Sequence, residues 1–199
     1  MNTIQNKWTV DLAHSNVSFK VQHLLISNVR GGFINFDANV YTTGNDFSTA
    51  QVDAYIGVAS IYTGDAKRDE HLISKDFFNA DAHKQISFTS NNIDTVDEDG
   101  NYAIWGTLTI KDVSKKMKFD VRFGGLSTQL DGTVIAGFSV AASISRAEYG
   151  LLWNKAIETG GILVGDIVHL TADFELHRTD VKNLEMKLEN ETVIKSVAY

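Results

Sequence analysis

The densest group of ionisable side chains lies in one short segment, residues 64–78 (GDAKRDEHLISKDFF). Arg68 and His71 could hold a phosphate, carboxylate or hydroxyl group, because a guanidinium and an imidazole both donate hydrogen bonds to oxygen. Asp69 could orient His71 as a general acid or base. The simpler interpretation is a salt-bridged surface turn, which would add little stability. Both interpretations stay open at this stage.

The sequence carries no other recognisable pattern for catalysis or metal binding. It has six histidines and no cysteine, which excludes disulfides, thiolate metal sites and cysteine nucleophiles. His169 and His177 would lie about 26 Å apart on one extended strand, too far for one ion, and His14, His23 and His71 could meet only through the fold. There is no G-x-S-x-G turn, phosphate-binding glycine loop or dinucleotide fingerprint. We therefore predict no metal ligands, no cofactor and no catalytic motif.

A second polar and aromatic segment, residues 146–154 (RAEYGLLWN), could complete a site. Gly150 suits a backbone kink, and Trp153 is large enough to form the wall of a pocket. Asn154 could support the 64–78 segment through hydrogen bonds. The glycine-rich residues 158–166 indicate a structural corner rather than a phosphate site, because no helix follows them.

One helix is expected to position the charged side chains of residues 64–78. Asp65 can accept hydrogen bonds from the first free backbone N–H groups of a helix, and Ser74 can cap a second turn over residues 75–78. The apolar residues of this segment then need a surface to cover, which we expect to be the mouth of a barrel. These residues are Leu72, Ile73, Phe77 and Phe78.

Most of the remaining chain alternates apolar and polar residues, which is typical of half-buried strands. The alternation recurs over residues 17–22, 34–41, 52–58, 102–110, 116–123, 136–145 and 167–176. Closing such a sheet would remove its exposed edges. We therefore predict an all-β fold, an antiparallel β-barrel of about eight strands with one short helical insertion that caps an end.

Small residues at inward positions would leave space along the barrel. Strands of about ten residues imply a barrel about 30 Å tall, and eight strands can either fill with side chains or enclose one ligand. We expect a narrow apolar tunnel suited to an extended hydrocarbon chain. The alternative is a packed barrel whose small residues fit its taper. The small inward residues are Ala38, Ala54, Gly106, Ala136, Ala142 and Ala172.

Charge and hydropathy restrict the range of partners. The 199 residues suit one domain. A formal net charge of −7 without any basic run argues against nucleic acid. No window approaches the roughly 20 apolar residues of a membrane span, and the first residues lack the pattern of a secretion signal. We expect a soluble protein, cytoplasmic as written, or periplasmic if the chain is a trimmed mature form.

Several segments, taken together and in order, resemble the YceI-like family. They are residues 14–24 (HSNVSFKVQHL), 32–33 with 36–37, 65–78 (DAKRDEHLISKDFF), 106–110 (GTLTI), 136–138 (AGF), 146–154 (RAEYGLLWN) and 158–166 (ETGGILVGD). Two prolines usual in the family are missing, before Ile86 and in the turn at residues 112–116, where we expect only local changes. The domain is predicted to span residues 1–178. Residues 179–199 form a tail whose pattern fits a strand or a helix.

The resemblance implies a lipocalin-like barrel with a long apolar interior that binds isoprenoids or other long-chain lipids, often as a homodimer. The side chains that it implies for the tunnel are Phe19, Val21, Phe36, Phe88, Leu108, Phe138 and Trp153. Strand parity adds His23, and the helical segment adds Phe77. For the polar mouth we predict Arg68, Asp69, His71 and Asn154.

We therefore predict a non-enzymatic protein that binds, transports or stores a long-chain amphiphile, above all an isoprenoid such as a polyprenyl or quinone-type lipid. A fatty amphiphile is the other ligand expected. Two further hypotheses stay open. One is an enzyme that acts on such a lipid, with His71 and Asp69 hydrogen-bonded beside the cavity. The other is a stress-related interaction module with a filled barrel.

Overall fold

Strands dominate the structure, a computed structural model that describes residues 5–95, 97, 99–155 and 163–179. The strands are β1 (Gln5–Val10), β2 (Asn16–His23), β3 (Ser27–Phe33), β4 (Phe36–Thr43), β5 (Asp46–Gly57), β6 (Ile61–Tyr62), β7 (Gln85–Thr95), β8 (Asn101–Ile110), β9 (Val113–Thr128), β10 (Val134–Ser145) and β11 (Val164–Thr179). One α-helix, α1 (Ala66–Ile73), follows β6. Of the tail predicted over residues 179–199, Thr179 belongs to β11 and the rest lies outside the described residues.

Eight of these strands close into an antiparallel barrel. Their order is β1-β4-β5-β7-β8-β9-β10-β11, and β11 pairs with β1 to complete the ring. The closing ladder runs from Lys7 opposite Thr179 to Val10 opposite Leu176. The all-β class, the antiparallel barrel of about eight strands and the single helical insertion are thus confirmed.

The three remaining strands branch from β11. Its residues between Val164 and Asp173 pair with β2, which pairs with β3, and β6 adds two residues to the edge of β3. Gly31 and Gly32 could permit a bend, but both lie inside β3. A Cβ atom at Gly31 would stand 2.5 Å from the Tyr62 carbonyl oxygen, so these glycines permit close strand packing rather than a bend.

The helix begins where the sequence predicts it. The Asp65 carboxylate accepts hydrogen bonds from the backbone N–H groups of Lys67 and Arg68. The predicted second turn over residues 75–78 is not helical. Ser74 instead closes α1, because its hydroxyl donates to the His71 carbonyl oxygen at 2.8 Å. With eight residues, α1 is too short to cross a membrane, and no helix among the described residues is long and apolar enough to do so.

The core divides into two clusters at opposite ends of the barrel. We call the first the helix end, where α1 and residues 146–154 lie and where Phe33, Phe77 and Leu151 are buried. We call the second the aromatic end, where the rings of Trp8, Phe47, Phe123 and Phe138 contact one another.

Candidate ligand-binding cavity

The interior of the barrel contains an elongated apolar cavity of about 300 Å³. Residues of α1 and of every strand except β1 line it, and apolar side chains such as Val40, Ile86, Phe119 and Leu170 predominate. The polar residues at its wall are Ser18, Asp37, Tyr55, Ser87, Tyr102, Arg146 and Thr171. The barrel is therefore not packed solid, contrary to the alternative that the sequence left open.

Strand β11 shows how far the cavity extends. Val164 near the start of the strand and Leu176 near its end both line the cavity. Twelve residues of extended chain measure about 40 Å, or about 30 Å along the axis of a barrel whose strands tilt by roughly 40°. A space of this shape fits an extended chain better than a compact metabolite.

Seven of the side chains predicted for the site line the cavity. Strand residues whose parity points inward supply six of them, and the segment after α1 supplies the seventh. They are Phe19, Val21, Phe36, Phe88, Leu108, Phe138 and Phe77. Leu72 and Phe78, predicted to cover the barrel mouth, line the cavity as well, and Ile73 packs against the surrounding core.

Five of the six small inward residues behave in three ways, and the sixth, Ala142, is half-buried and does not line the cavity. Ala38, Ala54 and Ala172 line the cavity and widen it. Ala136 is completely buried in the core of the aromatic end. Gly106 accommodates a neighbouring ring, since a Cβ atom there would clash with Phe88. Only part of the predicted small-residue stripe therefore creates space.

The predicted polar mouth does not form around the cavity, because local partners hold its side chains. The Arg68 guanidinium donates to the Thr63 hydroxyl at 2.7 Å and to the Thr63 carbonyl oxygen at 3.0 Å. The Asp69 carboxylate accepts a hydrogen bond from the same hydroxyl. His71 pairs with Asp76 at 3.0 Å. None of Arg68, Asp69 and His71 lines the cavity, and the His71–Asp69 pair of the enzyme hypothesis is not formed.

Trp153 stands behind the cavity wall rather than in it. The Trp153 and Phe77 ring centroids are 5.3 Å apart, and the His71 imidazole meets both rings edge-on at 4.8 Å and 5.1 Å. Since Phe77 lines the cavity, this cluster of three rings forms an outer layer at the helix end. His23, the remaining inward prediction, is half-buried at the end of β2 and does not line the cavity.

Asn154 has a structural contact instead of the predicted contact with the helix. Its side-chain amide donates to the Val164 carbonyl oxygen at 2.8 Å, and its oxygen accepts from the Val164 N–H at 3.1 Å. These two bonds join residues 146–154 to the first residue of β11.

Arg146 is a charged cavity residue that was not predicted from the sequence. It is only 6% exposed, and its guanidinium donates to the carbonyl oxygens of Leu151, Trp153, Val164 and Gly165. Burial lowers the pKa of Arg146, and the nearby Asp166 carboxylate opposes that shift. The signal was present in the sequence, because Arg146 continues the inward parity of the alternating residues of β10.

Asp166 has its own partners at this corner. A hydrogen bond from Ser145 lowers the pKa of Asp166, and the Ala147 N–H, which donates at 3.0 Å, lowers it further. Among the described residues no carboxylate lies within 4.0 Å of the Arg146 guanidinium. A buried cation bound mainly to backbone oxygens therefore lines the helix end of an apolar cavity.

The chain is similar to proteins and structures of one family. A model of the YceI-like domain matches residues 8–176. A UPF0312 protein of Staphylococcus aureus (strain USA300) is 38% identical over 169 residues, which cover 84% of this chain and 95% of that protein. The YceI protein of Campylobacter jejuni is 32% identical, with a TM-score of 0.67 over 83% of this chain and 94% of its own.

Two further solved structures share the barrel. BcnA of Burkholderia cenocepacia is 25% identical with a TM-score of 0.71, over 85% of this chain and 99% of its own. A polyisoprenoid-binding domain from Saccharophagus degradans is 16% identical with a TM-score of 0.62, over 87% of this chain and 98% of its own, and at that identity the likeness is one of fold. The resemblance seen in the sequence is confirmed by the match over residues 8–176, and the chain belongs to the YceI-like family.

Proposed function

We propose that this protein binds one long-chain amphiphile, an isoprenoid of the polyprenyl or quinone type, inside the barrel and carries or stores it without chemical change. The observation that carries the proposal is the elongated apolar cavity of about 300 Å³. Its wall is formed by aliphatic and aromatic side chains, so affinity would come from apolar area removed from water, at about 25 cal/mol per Å².

The shape of the cavity favours an extended tail. It reaches from Val164 to Leu176 along β11, and a branched, unsaturated chain offers apolar surface along that whole length. The rings of Phe19, Phe88 and Phe138 line the same space. Flat double bonds and methyl branches can pack against such rings, which supports an isoprenoid over a compact ligand.

The position of Arg146 favours a ligand whose polar end carries an oxygen that can accept a hydrogen bond. A guanidinium has five N–H donors, and the bonds to Leu151, Trp153, Val164 and Gly165 use four of them. The fifth N–H has no partner among the residues that the structure describes. Because Arg146 lies at the cavity wall, a carbonyl, quinone or carboxylate oxygen of the ligand would bind there, with the tail directed towards the aromatic end.

The comparisons support a binding role. The structure from Saccharophagus degradans that shares this fold is that of a polyisoprenoid-binding domain. The alternatives have less support: His71 bonds to Asp76 rather than to Asp69, and a filled barrel is incompatible with the cavity. We also propose that the protein forms a homodimer, as the family resemblance implies.

The test is to block the cavity from inside. Ala54 lines the cavity, so Ala54→Trp should reduce binding of phylloquinone, which carries an isoprenoid tail, by at least about tenfold. The control Gln51→Trp places the same ring at an exposed position of the same strand and should bind normally. Retention of phylloquinone on gel filtration measures binding, and thermal unfolding verifies that both variants fold.

Menadione, the same quinone ring without the tail, separates the two parts of the ligand. If the tail supplies the affinity, menadione should bind far more weakly than phylloquinone to the unmodified protein. Equal retention of phylloquinone by Ala54→Trp and Gln51→Trp, with both variants folded, would contradict binding inside the barrel.

A further inference from the structure

Four side chains with metal-binding atoms meet on the outside of the barrel, where the β1–β2 turn crosses β11. The Asp11 Oδ2 atom lies 2.9 Å from His14 Nδ1 and 3.2 Å from His177 Nε2. His177 Nε2 in turn lies 3.3 Å from Glu175 Oε1. One ligand atom each from Asp11, His14 and Glu175 lies within 4.8 Å of the other two.

We propose that Asp11, His14, Glu175 and His177 bind a first-row divalent metal ion of the Zn²⁺ class. Imidazole nitrogen with carboxylate oxygen is a donor set that suits such ions, whereas Ca²⁺ and Mg²⁺ prefer oxygen alone. The inference is independent of the barrel cavity and of the proposed lipid binding.

The separations of His177 from the two carboxylates agree with tetrahedral coordination, whereas His14 groups closely with Asp11 and Glu175 but not with His177. Metal bonds of about 2.0–2.2 Å place neighbouring ligand atoms of a tetrahedron about 3.3–3.5 Å apart. His177 Nε2 already lies 3.2 Å from Asp11 Oδ2 and 3.3 Å from Glu175 Oε1. His14 must withdraw slightly from Asp11 and turn towards His177 to share one ion with it, and its side chain is 67% exposed and can move.

The backbone holds these donors in place before any ion binds. The Ala13 N–H donates to Asp11 Oδ1 at 2.8 Å, which leaves Oδ2 facing the two imidazoles. The Asp11 N–H donates to the Glu175 carbonyl oxygen at 2.8 Å, and the Glu175 N–H donates to the Ser15 hydroxyl at 3.0 Å. The turn is therefore fastened to β11 by contacts that metal binding would not disturb, and such outer contacts orient metal ligands.

The ion-pair partners of the two carboxylates also suit a metal. The pairs that the described residues form with Asp11 and Glu175 are with His14 and His177. A histidine can release its proton and coordinate the ion, which lysine and arginine do not do in this way. A dication bound there would fasten the β1–β2 turn to the strand that closes the barrel.

The folded chain brings together residues that the sequence kept apart. The sequence predicted no metal site because His169 and His177 are far apart on one strand. The partner of His177 is instead the β1–β2 turn with His14, 163 positions earlier in the chain. His169 stands on the same strand and bonds to Ser143 at 2.9 Å, which makes it a matched control.

The experiment is a Zn²⁺ titration of the full chain after treatment with a chelator and desalting. We expect one Zn²⁺ per chain with a dissociation constant in the micromolar range or tighter, and no competition from Ca²⁺. His14→Ala and Glu175→Gln should each weaken Zn²⁺ binding at least about tenfold, while His169→Ala should bind as the unmodified chain does. Co²⁺ in place of Zn²⁺ should give the visible absorption of a tetrahedral ion.

Two results would overturn the inference. One is a chain that binds no Zn²⁺, which would make the cluster a hydrogen-bonded clamp and nothing more. The other is Zn²⁺ binding that His14→Ala and Glu175→Gln leave unchanged, because the ion would then lie elsewhere. Thermal unfolding of each variant without metal separates a lost ligand from a lost fold.

Discussion

The two ends of the barrel are built on different physical principles. At the aromatic end, Trp8 is completely buried, Phe47 lies 4.9 Å from it between ring centroids, and the Trp8 Nε1–H donates to Thr42 at 2.8 Å. Strand residues alone supply these rings. At the helix end, irregular segments cover the cavity, and the only residues of α1 and residues 146–154 at its wall are Leu72, Arg146 and Leu151.

From this difference we expect the two ends to have separate roles. The aromatic end is a packed core in which Phe47, Phe123 and Phe138 each contact at least two other rings, so it should supply stability and close the cavity. The helix end is covered by short segments held by local hydrogen bonds, as those of Arg68 and Asn154 show. Segments of this kind open at low cost, and we expect a ligand to pass there.

The largest loss of stability is expected from a substitution at the aromatic end. Trp8→Ala should lower the free energy of unfolding by about 3–5 kcal/mol, because it leaves a large cavity in a packed core and deprives Thr42 of a donor. Chemical denaturation with urea measures this loss.

Trp105 provides the matched control for that variant. It is 42% exposed on the outer face of β8, and Trp105→Ala should cost far less. Equal destabilisation by the two variants would contradict the view that the aromatic end holds the barrel together.

A substitution at the helix end is expected to cost less stability but to change the rate of ligand release more. Leu72 is half-buried on α1 and lines the cavity. Leu72→Ala should lower the free energy of unfolding by only about 1–2 kcal/mol, yet it should speed the dissociation of phylloquinone several-fold. Stopped-flow measurement of the release rate tests this expectation.

Lys67→Ala on the exposed face of the same helix is the control for Leu72→Ala. It should leave the release rate unchanged. A release rate that neither variant alters would place the exit at some other part of the barrel.

The smallest expected effect is a dependence on pH of the stability of the first turn of α1. A hydrogen bond from the Arg68 backbone N–H lowers the pKa of Asp65 below its ordinary value of 3.8. The cap therefore contributes fully above that ordinary value and is lost as the pH falls through the lowered pKa. Hydrogen exchange of the Lys67 and Arg68 amides should accelerate over that acid range, relative to unstructured amides.

Asp65→Asn keeps a capping oxygen that does not titrate. The acceleration specific to the acid range should disappear in that variant. The same acid response in both proteins would show that another group controls the helix start.

The sequence was sufficient for the parts of the fold that follow a simple period. Strict alternation over residues 116–123 identified β9, and the carboxylate of Asp65 identified the first turn of α1. Strand β3 was missed because Ser27–Phe33 ends in Arg-Gly-Gly-Phe and does not alternate. Its glycines are explained only by the approach of Tyr62 and of Phe19 on the paired strand β2, which the local pattern does not show.

The candidate site was likewise predictable only where a simple alternation of residues determines which side chains face inward. Parity placed Phe36 and Leu108 at the cavity wall, because a strand in a closed barrel has one inner face. Charge density pointed to Arg68 and His71, but their partners, Thr63 and Asp76, lie within five residues of them. Whether a charged side chain bonds to a neighbour or faces a cavity depends on tertiary position, which a local pattern does not contain.

The most direct test of the central claim is native mass spectrometry of freshly purified protein, followed by organic extraction and identification of what is released. We predict a stoichiometric amphiphile with a long isoprenoid tail, and the same spectrum should show the homodimer. A protein that is empty as purified, and that also fails to retain added phylloquinone, would contradict the account.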